Sequence, residues 1–171
     1  MINKPTNEEY GLHFKPYIDL IAEGDVTQLL VDQADELAAV LLDCTAQQAD
    51  YRYAEGKWSL KEVLGHIIDT ERIMSYRLLR IARGDKTPLA GFDENTFVQN
   101  ASFELRSLSN LLEEYLAVRR STITLFGGVT EEAWARIGVS NDFEMSARAL
   151  AYIIAGHERH HMNIIKDKYL V

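Results

Sequence analysis

Residues 155–165 read AGHERHHMNII, and this stretch sets histidines into an apolar helical pattern. On a helix, alternating steps of four and three residues keep one stripe on the buried face. That stripe consists of Leu150, Ile154, His157, His161 and Ile164. Two residues four apart lie about 6 Å apart along the helix axis, so His157 and His161 can bind one ion together. The stretch therefore indicates a candidate metal site on a buried helix.

The two histidines also have a structural explanation, because a histidine on an apolar face is usually a core residue with a hydrogen-bond partner. A buried imidazole without a partner costs roughly 1 to 3 kcal/mol, so His157 and His161 need either partners or a shared cation. His160 lies about 100° around the helix from His161. It could support the site, face a substrate or be exposed, and we do not expect it to be a ligand.

Four long amphipathic segments are predicted to be helices. Asp25 and Ser59 are typical N-cap residues, and Glu62 forms a capping box with Ser59. The predicted helices span about 25–44, 59–84, 103–126 and 145–168, with a short helix at about 130–134. No run of alternating apolar and polar residues predicts a strand. The class is therefore all-α, with a turn-rich connection at 137–142.

These helices predict one four-helix bundle within a single domain of residues 1–171. Residues 1–24 are expected to wrap the preformed core. The long loop after the second helix suggests a crossover connection, and loops of this length are often functional. Its residues Asp93, Glu94 and Asn95 could line a pocket, although a solvated polar loop is the alternative.

His66 lies on the second predicted helix at the border of its apolar stripe, so its imidazole can reach the bundle interior. It is the natural third ligand beside His157 and His161. Three protein ligands leave one position open for water or substrate, which is the arrangement of catalytic zinc sites. Imidazole suits zinc, nickel, iron or copper alike. His13 and Cys44 are predicted to be packing or exposed residues outside this site.

Composition excludes several classes of function. The 171 residues are 47% hydrophobic, which is enough for one sizeable core. The net charge of -8 argues against a nucleic-acid partner, which needs a basic face. No apolar run approaches the roughly 20 residues of a membrane span. A single cysteine and the lack of a signal-like N-terminus predict a cytoplasmic protein without internal disulfides.

Four short motifs stand out along the chain: GKWS at 56–59, GHIIDTER at 65–72, GFDEN at 91–95 and AGHERHH at 155–161. In this order they resemble the DinB-like superfamily, and within it the branch of YfiT-type metal-dependent hydrolases that includes bacillithiol S-transferases. The resemblance implies a four-helix bundle and one divalent ion, nickel or zinc, at His66, His157 and His161. Asp69, within the second motif, is a candidate supporting residue.

Two reactions are consistent with this resemblance. An ion with an open position can activate a small thiol for transfer to an electrophile, or water for hydrolysis. A module that only binds a metal or a small molecule is the third alternative, because a fold does not determine a function. We expect the thiol S-transferase first. Related proteins also suggest a homodimer.

Overall fold

Helices account for most of the structure, a computed structural model that describes residues 2–170. The α-helices are α1 (Lys15–Asp19), α2 (Val26–Leu42), α3 (Ala46–Asp50), α4 (Leu60–Ala82), α5 (Glu94–Ala101), α6 (Leu108–Gly127), α7 (Glu131–Trp134) and α8 (Ala147–Ile164). Helix α4 packs against α6 and α8, and α2 packs against the same two helices. The predicted four-helix bundle is confirmed. None of the helices within residues 2–170 combines the length and apolar character of a membrane span.

Side-chain caps determine where the long helices begin. The Asp25 carboxylate accepts hydrogen bonds from the first turn of α2, and Ser59 forms the predicted capping box with Glu62 at the start of α4. Ser107 caps α6, so the third long helix begins after the predicted position at 103. The residues before this cap, Phe103–Leu105, form a 3₁₀ turn instead.

A β-hairpin replaces the predicted turn-rich connection and the first residues of the last helix. Strand β1 (Ile137–Ser140) pairs antiparallel with β2 (Phe143–Ser146). Asn141 and Asp142 join the strands with φ angles of 51° and 66°. Two central residues with positive φ are typical of a type I′ turn, which matches the twist of the strands. The sequence predicted no strand, and for residues 137–146 that prediction was wrong.

The hairpin holds the long connection between α4 and α6. Leu89 N donates to Val139 O at 3.0 Å, and Asn141 N donates to Leu89 O at 2.9 Å. Gly91 allows the close approach, because a Cβ there would lie 2.0 Å from Asn141 Oδ1. The connection then enters α5, which the sequence did not predict. Asp93 caps that helix by accepting from Thr96 N.

A buried polar layer separates two apolar clusters of the bundle core. One cluster includes Leu30, Leu78, Phe126 and Ile154, and the other includes Leu37, Leu64, Leu111 and Met162. Between these two sets, the four long helices contribute Gln33, Glu71, Arg119 and Glu158, all of which are buried. The three predicted metal-binding histidines also lie on α4 and α8. Polar chemistry is thus concentrated in the middle of the bundle.

Candidate metal centre

Three imidazoles meet between α4 and α8. Nε2 of His157 lies 2.9 Å from Nε2 of His66 and 3.2 Å from Nε2 of His161. One ring nitrogen from each of the three residues lies within 4.8 Å of the others. The side chains are almost fully buried, with 6% exposure for His66 and His157 and 9% for His161. The structure therefore brings together the three residues that the sequence singles out.

A glycine precedes each of the first two histidines and lets another segment approach the site. A Cβ at Gly65 would lie 2.4 Å from the ring of Phe103, and one at Gly156 would lie 2.1 Å from the carbonyl oxygen of Tyr17. Helix α1 consequently packs closely on α8. The Tyr17 ring then lies edge-on at 5.5 Å from the His157 ring.

Burial keeps the three imidazoles neutral at physiological pH. Desolvation, reinforced by the neighbouring imidazoles, lowers the pKa of His66 to about 4 and that of His161 to about 3. The same causes lower the pKa of His157 well below its usual value. Desolvation disfavours the charged form, so each ring retains a nitrogen lone pair. The cluster offers donor atoms and carries no positive charge that would repel a cation.

A divalent ion fits this set of donors. Two imidazole nitrogens at about 2.1 Å from one ion lie about 3.0 to 3.4 Å apart for bond angles between square and tetrahedral. The two separations from His157, 2.9 and 3.2 Å, are close to that spacing, and the nitrogens of His66 and His161 lie within 4.8 Å of each other. Without an ion, one nitrogen of each contact must carry a proton for the contact to be a hydrogen bond, so a cation and protons compete for the same positions.

A cavity of about 410 Å³ opens beside the histidines, and we call it the histidine cavity. Its lining consists of His13, Phe14, Tyr17, Trp58, His66, Thr70, Met74, Arg77, Phe92, Glu94, Asn141, His157, His160 and His161. A second cavity of about 230 Å³, the side cavity, shares Trp58 and His161 with the first. The two spaces therefore adjoin at one of the three histidines. The volume of the histidine cavity lies within the usual range for small-molecule sites.

The other residues singled out from the sequence lie at different distances from the histidines. Glu94 and His160 line the histidine cavity, and Asn95 lines the side cavity. Asp93 is exposed and serves as the N-cap of α5. Asp69 lies outside both cavities, where its carboxylate is 3.6 Å from an Arg72 nitrogen and burial raises its pKa.

Sequence reasoning missed part of the cavity wall. His13, predicted to be a packing or exposed residue outside the metal site, is exposed and also lines the histidine cavity. Tyr17 and Arg77 were not singled out, because neither belongs to a spacing that marks ligands. Trp58 lies within the GKWS motif, and its ring is 4.8 Å from the His66 ring. Only the motif could have pointed to Trp58 from the sequence alone.

A buried ionic cluster lies beside the histidines on the same helices. Arg119 Nη2 donates to Glu71 Oε2 at 2.7 Å and also pairs with Glu158. Arg119 Nη1 donates to Leu30 O at 3.0 Å, and Tyr115 Oη donates to both oxygens of Glu158 at 3.0 Å. Burial raises the pKa of the Glu158 carboxyl, while Arg119 opposes that shift. The cluster links α2, α4, α6 and α8 at the level of the site.

A model of the DinB superfamily matches residues 29–165 of the chain. The chain belongs to the DinB superfamily. A solved structure with the same fold is YfiT from Bacillus subtilis, described as a probable metal-dependent hydrolase with an unusual four-helix bundle topology. The match has a TM-score of 0.76 and 18% identity, and it covers 96% of this chain and 90% of that one. Comparison with curated proteins finds no match. The family indicated by the motifs is thus confirmed.

Proposed function

We propose that this DinB protein is a metal-dependent enzyme that binds one divalent ion through His66, His157 and His161. The convergence of three neutral, buried imidazoles at the edge of a cavity carries this proposal. A bound ion would supply positive charge that acidifies a thiol or a water molecule at neutral pH. The description of YfiT as a probable metal-dependent hydrolase also supports a metal. Zinc and nickel are the candidates.

Within the proposed enzyme, a low-molecular-weight thiol is the preferred nucleophile. The lining of the histidine cavity includes no cysteine, serine or lysine. Cys44 lies in another cavity, where burial raises the pKa of its thiol. A thiol nucleophile must therefore come from a substrate. Two adjoining cavities can hold two reactants, which favours transfer of a thiol to an electrophile over hydrolysis.

The protein's own side chains would orient and shield the reactants. Thr70 Oγ1 lies 3.5 Å from Nδ1 of His66, at the far side of the ring from the other histidines, and helps to orient that ring. Tyr17 and Trp58 place aromatic rings beside the histidines, which excludes water from one side of the cavity. Holding two reactants next to each other lowers the entropic cost of their reaction.

Metal content tests the ligand set. Purified protein should contain about one transition ion per chain, and His157→Ala should abolish the ion because it removes the central nitrogen of the cluster. His160→Ala is the matched control and should keep it. A protein without metal after reconstitution would refute the proposal. Loss of metal in His160→Ala but not in His161→Ala would mean that the ligand set is wrong.

Conjugation to monochlorobimane tests the reaction. The metal-loaded protein should accelerate conjugate formation with one member of a thiol panel containing bacillithiol, mycothiol, glutathione, cysteine and coenzyme A. A free thiol with a pKa of about 8.5 is only a few per cent ionised at pH 7, so the ion adds nucleophile and the cavities add positioning. Equal rates with metal-loaded, metal-free and His66→Ala proteins would exclude the transferase.

Hydrolysis is the second candidate, favoured by the description of YfiT. Metal-dependent release of acid from an ester or amide in the same samples would identify a hydrolase. Absence of activity in both assays would favour a binding module.

A thiol as cosubstrate is consistent with the reducing cytoplasm expected from the sequence. The homodimer stays a prediction, which light scattering would test.

A further inference from the structure

Arg77 is a buried charge in the wall of the histidine cavity. The residue is only 3% exposed, and it lies on α4 among the cavity-lining residues. Its Nη2 donates to Ala90 O at 2.7 Å, and its Nη1 lies 3.6 Å from the sulfur of Met74. A guanidinium has five N–H groups, so three remain without a protein acceptor among the described residues.

The neighbouring arginines of α4 are paired, which sets Arg77 apart. Arg72 pairs with Glu114, and Arg80 pairs with Asp85. Within residues 2–170, Arg77 has no such carboxylate partner. The centre of the uncharged Phe92 ring lies 5.8 Å from the guanidinium carbon. Desolvation accordingly lowers the pKa of Arg77. A buried charge without a counter-ion is costly, so this position is suited to receiving an anion.

The acidic side chain of the cavity does not fill that role. Glu94 lines the same space, but its charge lies near Tyr17, where burial and this carboxylate raise the pKa of the phenol. Glu94 itself is exposed to solvent. Arg77 and Glu94 thus line one cavity without forming an ion pair with each other among the described residues.

Arg77 shares a face of α4 with His66. They are eleven positions apart, which is about three helical turns and a rise of about 16 Å. Long helical side chains point back towards the N-terminus, and the contact of Arg77 with Met74, three residues earlier, agrees with that direction. The guanidinium therefore lies nearer to the histidines than the Cα atom of Arg77 does. The separation between the guanidinium and the histidines is on the order of 10 Å, which a small molecule can span.

We propose that Arg77 binds an anionic group, in the first place a carboxylate, of the molecule that occupies the histidine cavity. The guanidinium offers its remaining N–H groups to two oxygens, the planar arrangement that carboxylates prefer. The substrate is then a small acid whose reactive group reaches the three histidines while its carboxylate is held at Arg77. That the bound acid is a substrate rests on the proposed function, whereas binding of the anion does not.

Titration of the full-length ¹⁵N-labelled protein tests the anion site without relying on activity. Succinate and inorganic phosphate are added to metal-free and zinc-loaded protein, with succinamide as the uncharged control. The Nε–Hε signal of Arg77, identified by its absence in Arg77→Gln, should shift with succinate and not with succinamide. Calorimetry should show succinate binding about 10- to 100-fold weaker in Arg77→Gln, the usual effect of losing a hydrogen bond between charged groups.

Two further variants separate this site from general electrostatics. Arg120→Gln removes the same charge from an exposed position of α6 and should leave succinate binding unchanged. Arg77→Lys keeps the charge and should restore part of the affinity. If succinate shifted none of the arginine Nε–Hε signals of the wild-type protein, the proposal would be overturned, whether or not the variants fold. Equal affinities of Arg77→Gln and wild-type protein would do so too.

The metal-free arm keeps the two proposals distinguishable. Succinate binding at Arg77 in a protein that takes up no metal would retain the anion site and reject the metal-dependent function. A protein that binds one metal ion but no anion would retain the function and reject the role of Arg77. A stronger response to phosphate than to succinate would reject the preference for a carboxylate.

Discussion

The substitution Gly156→Ala should destabilise the protein although alanine favours helices. A Cβ at this position would lie 2.1 Å from the carbonyl oxygen and 2.5 Å from the carbonyl carbon of Tyr17. Both are backbone atoms, so α1 must move away from α8 by about 1 Å to restore ordinary contact. Overpacking of this kind costs about 1 to 3 kcal/mol, and the helix propensity of alanine offsets about 1 kcal/mol. We therefore expect a net loss of about 1 kcal/mol, and up to about 2.

Urea denaturation followed by circular dichroism measures this loss. Gly127→Ala is the matched control, because a Cβ at Gly127 would meet no described atom within 4 Å beyond its chain neighbours and its own helix backbone. The residue also belongs to a long helix. The control should leave the free energy of unfolding unchanged or raise it by up to about 1 kcal/mol. If Gly156→Ala were as stable as Gly127→Ala, α1 would not be held against α8 as described, and the argument from close approach would fail.

Two further predictions concern charged side chains. Burial alone would raise the pKa of Glu9, but hydrogen bonds from Arg148 and Thr6 lower it to about 2, below its ordinary 4.5. The ion pair thus stabilises the folded protein fully above about pH 5 and is lost as the pH falls towards 2. Glu9→Gln should lower the free energy of unfolding by about 1 kcal/mol at pH 7, after allowance for solvent screening. In acid, the free energies of unfolding of the variant and the wild type should converge. A difference between them that did not change with pH would contradict this. Arg119→Leu should cost about 3 to 5 kcal/mol, because it leaves two buried carboxylates without their guanidinium. Arg120→Leu, at an exposed position, is its control, and equal urea midpoints for the two variants would contradict the prediction.

Local signals were sufficient to predict the long helices. Asp25 and Ser59 cap their helices by hydrogen bonds to residues at most three positions away. The local order of residue types is therefore enough to identify these caps. His157 and His161 lie one turn apart, and their proximity follows from helical geometry. The contact of His66 with His157 depends on how α4 packs against α8, yet the apolar stripe of each helix already indicates which side faces inward.

Long-range contacts explain what the sequence left undetermined. Residues 137–146 show no clean alternation of apolar and polar side chains that would predict strands. Which side chains of the hairpin are buried depends on the connection containing Leu89 and Gly91, which packs beside it. Tyr17 reaches the site through its backbone contact with Gly156, over 130 residues away in sequence. Among residues 2–170, Arg77 has a carbonyl acceptor but no carboxylate partner, and the lack of a counter-ion is a property of three-dimensional packing.

The histidine nitrogens and the cavity wall come from parts of the fold with different tolerance to change. Helices α4 and α8 supply the three imidazoles from the bundle core, whereas the N-terminal segment, the connection after α4 and the hairpin supply much of the surrounding wall. Peripheral segments accept insertions and replacements that a packed core rejects. Substitutions in the wall can therefore change the shape of the cavity while the three histidines keep their positions.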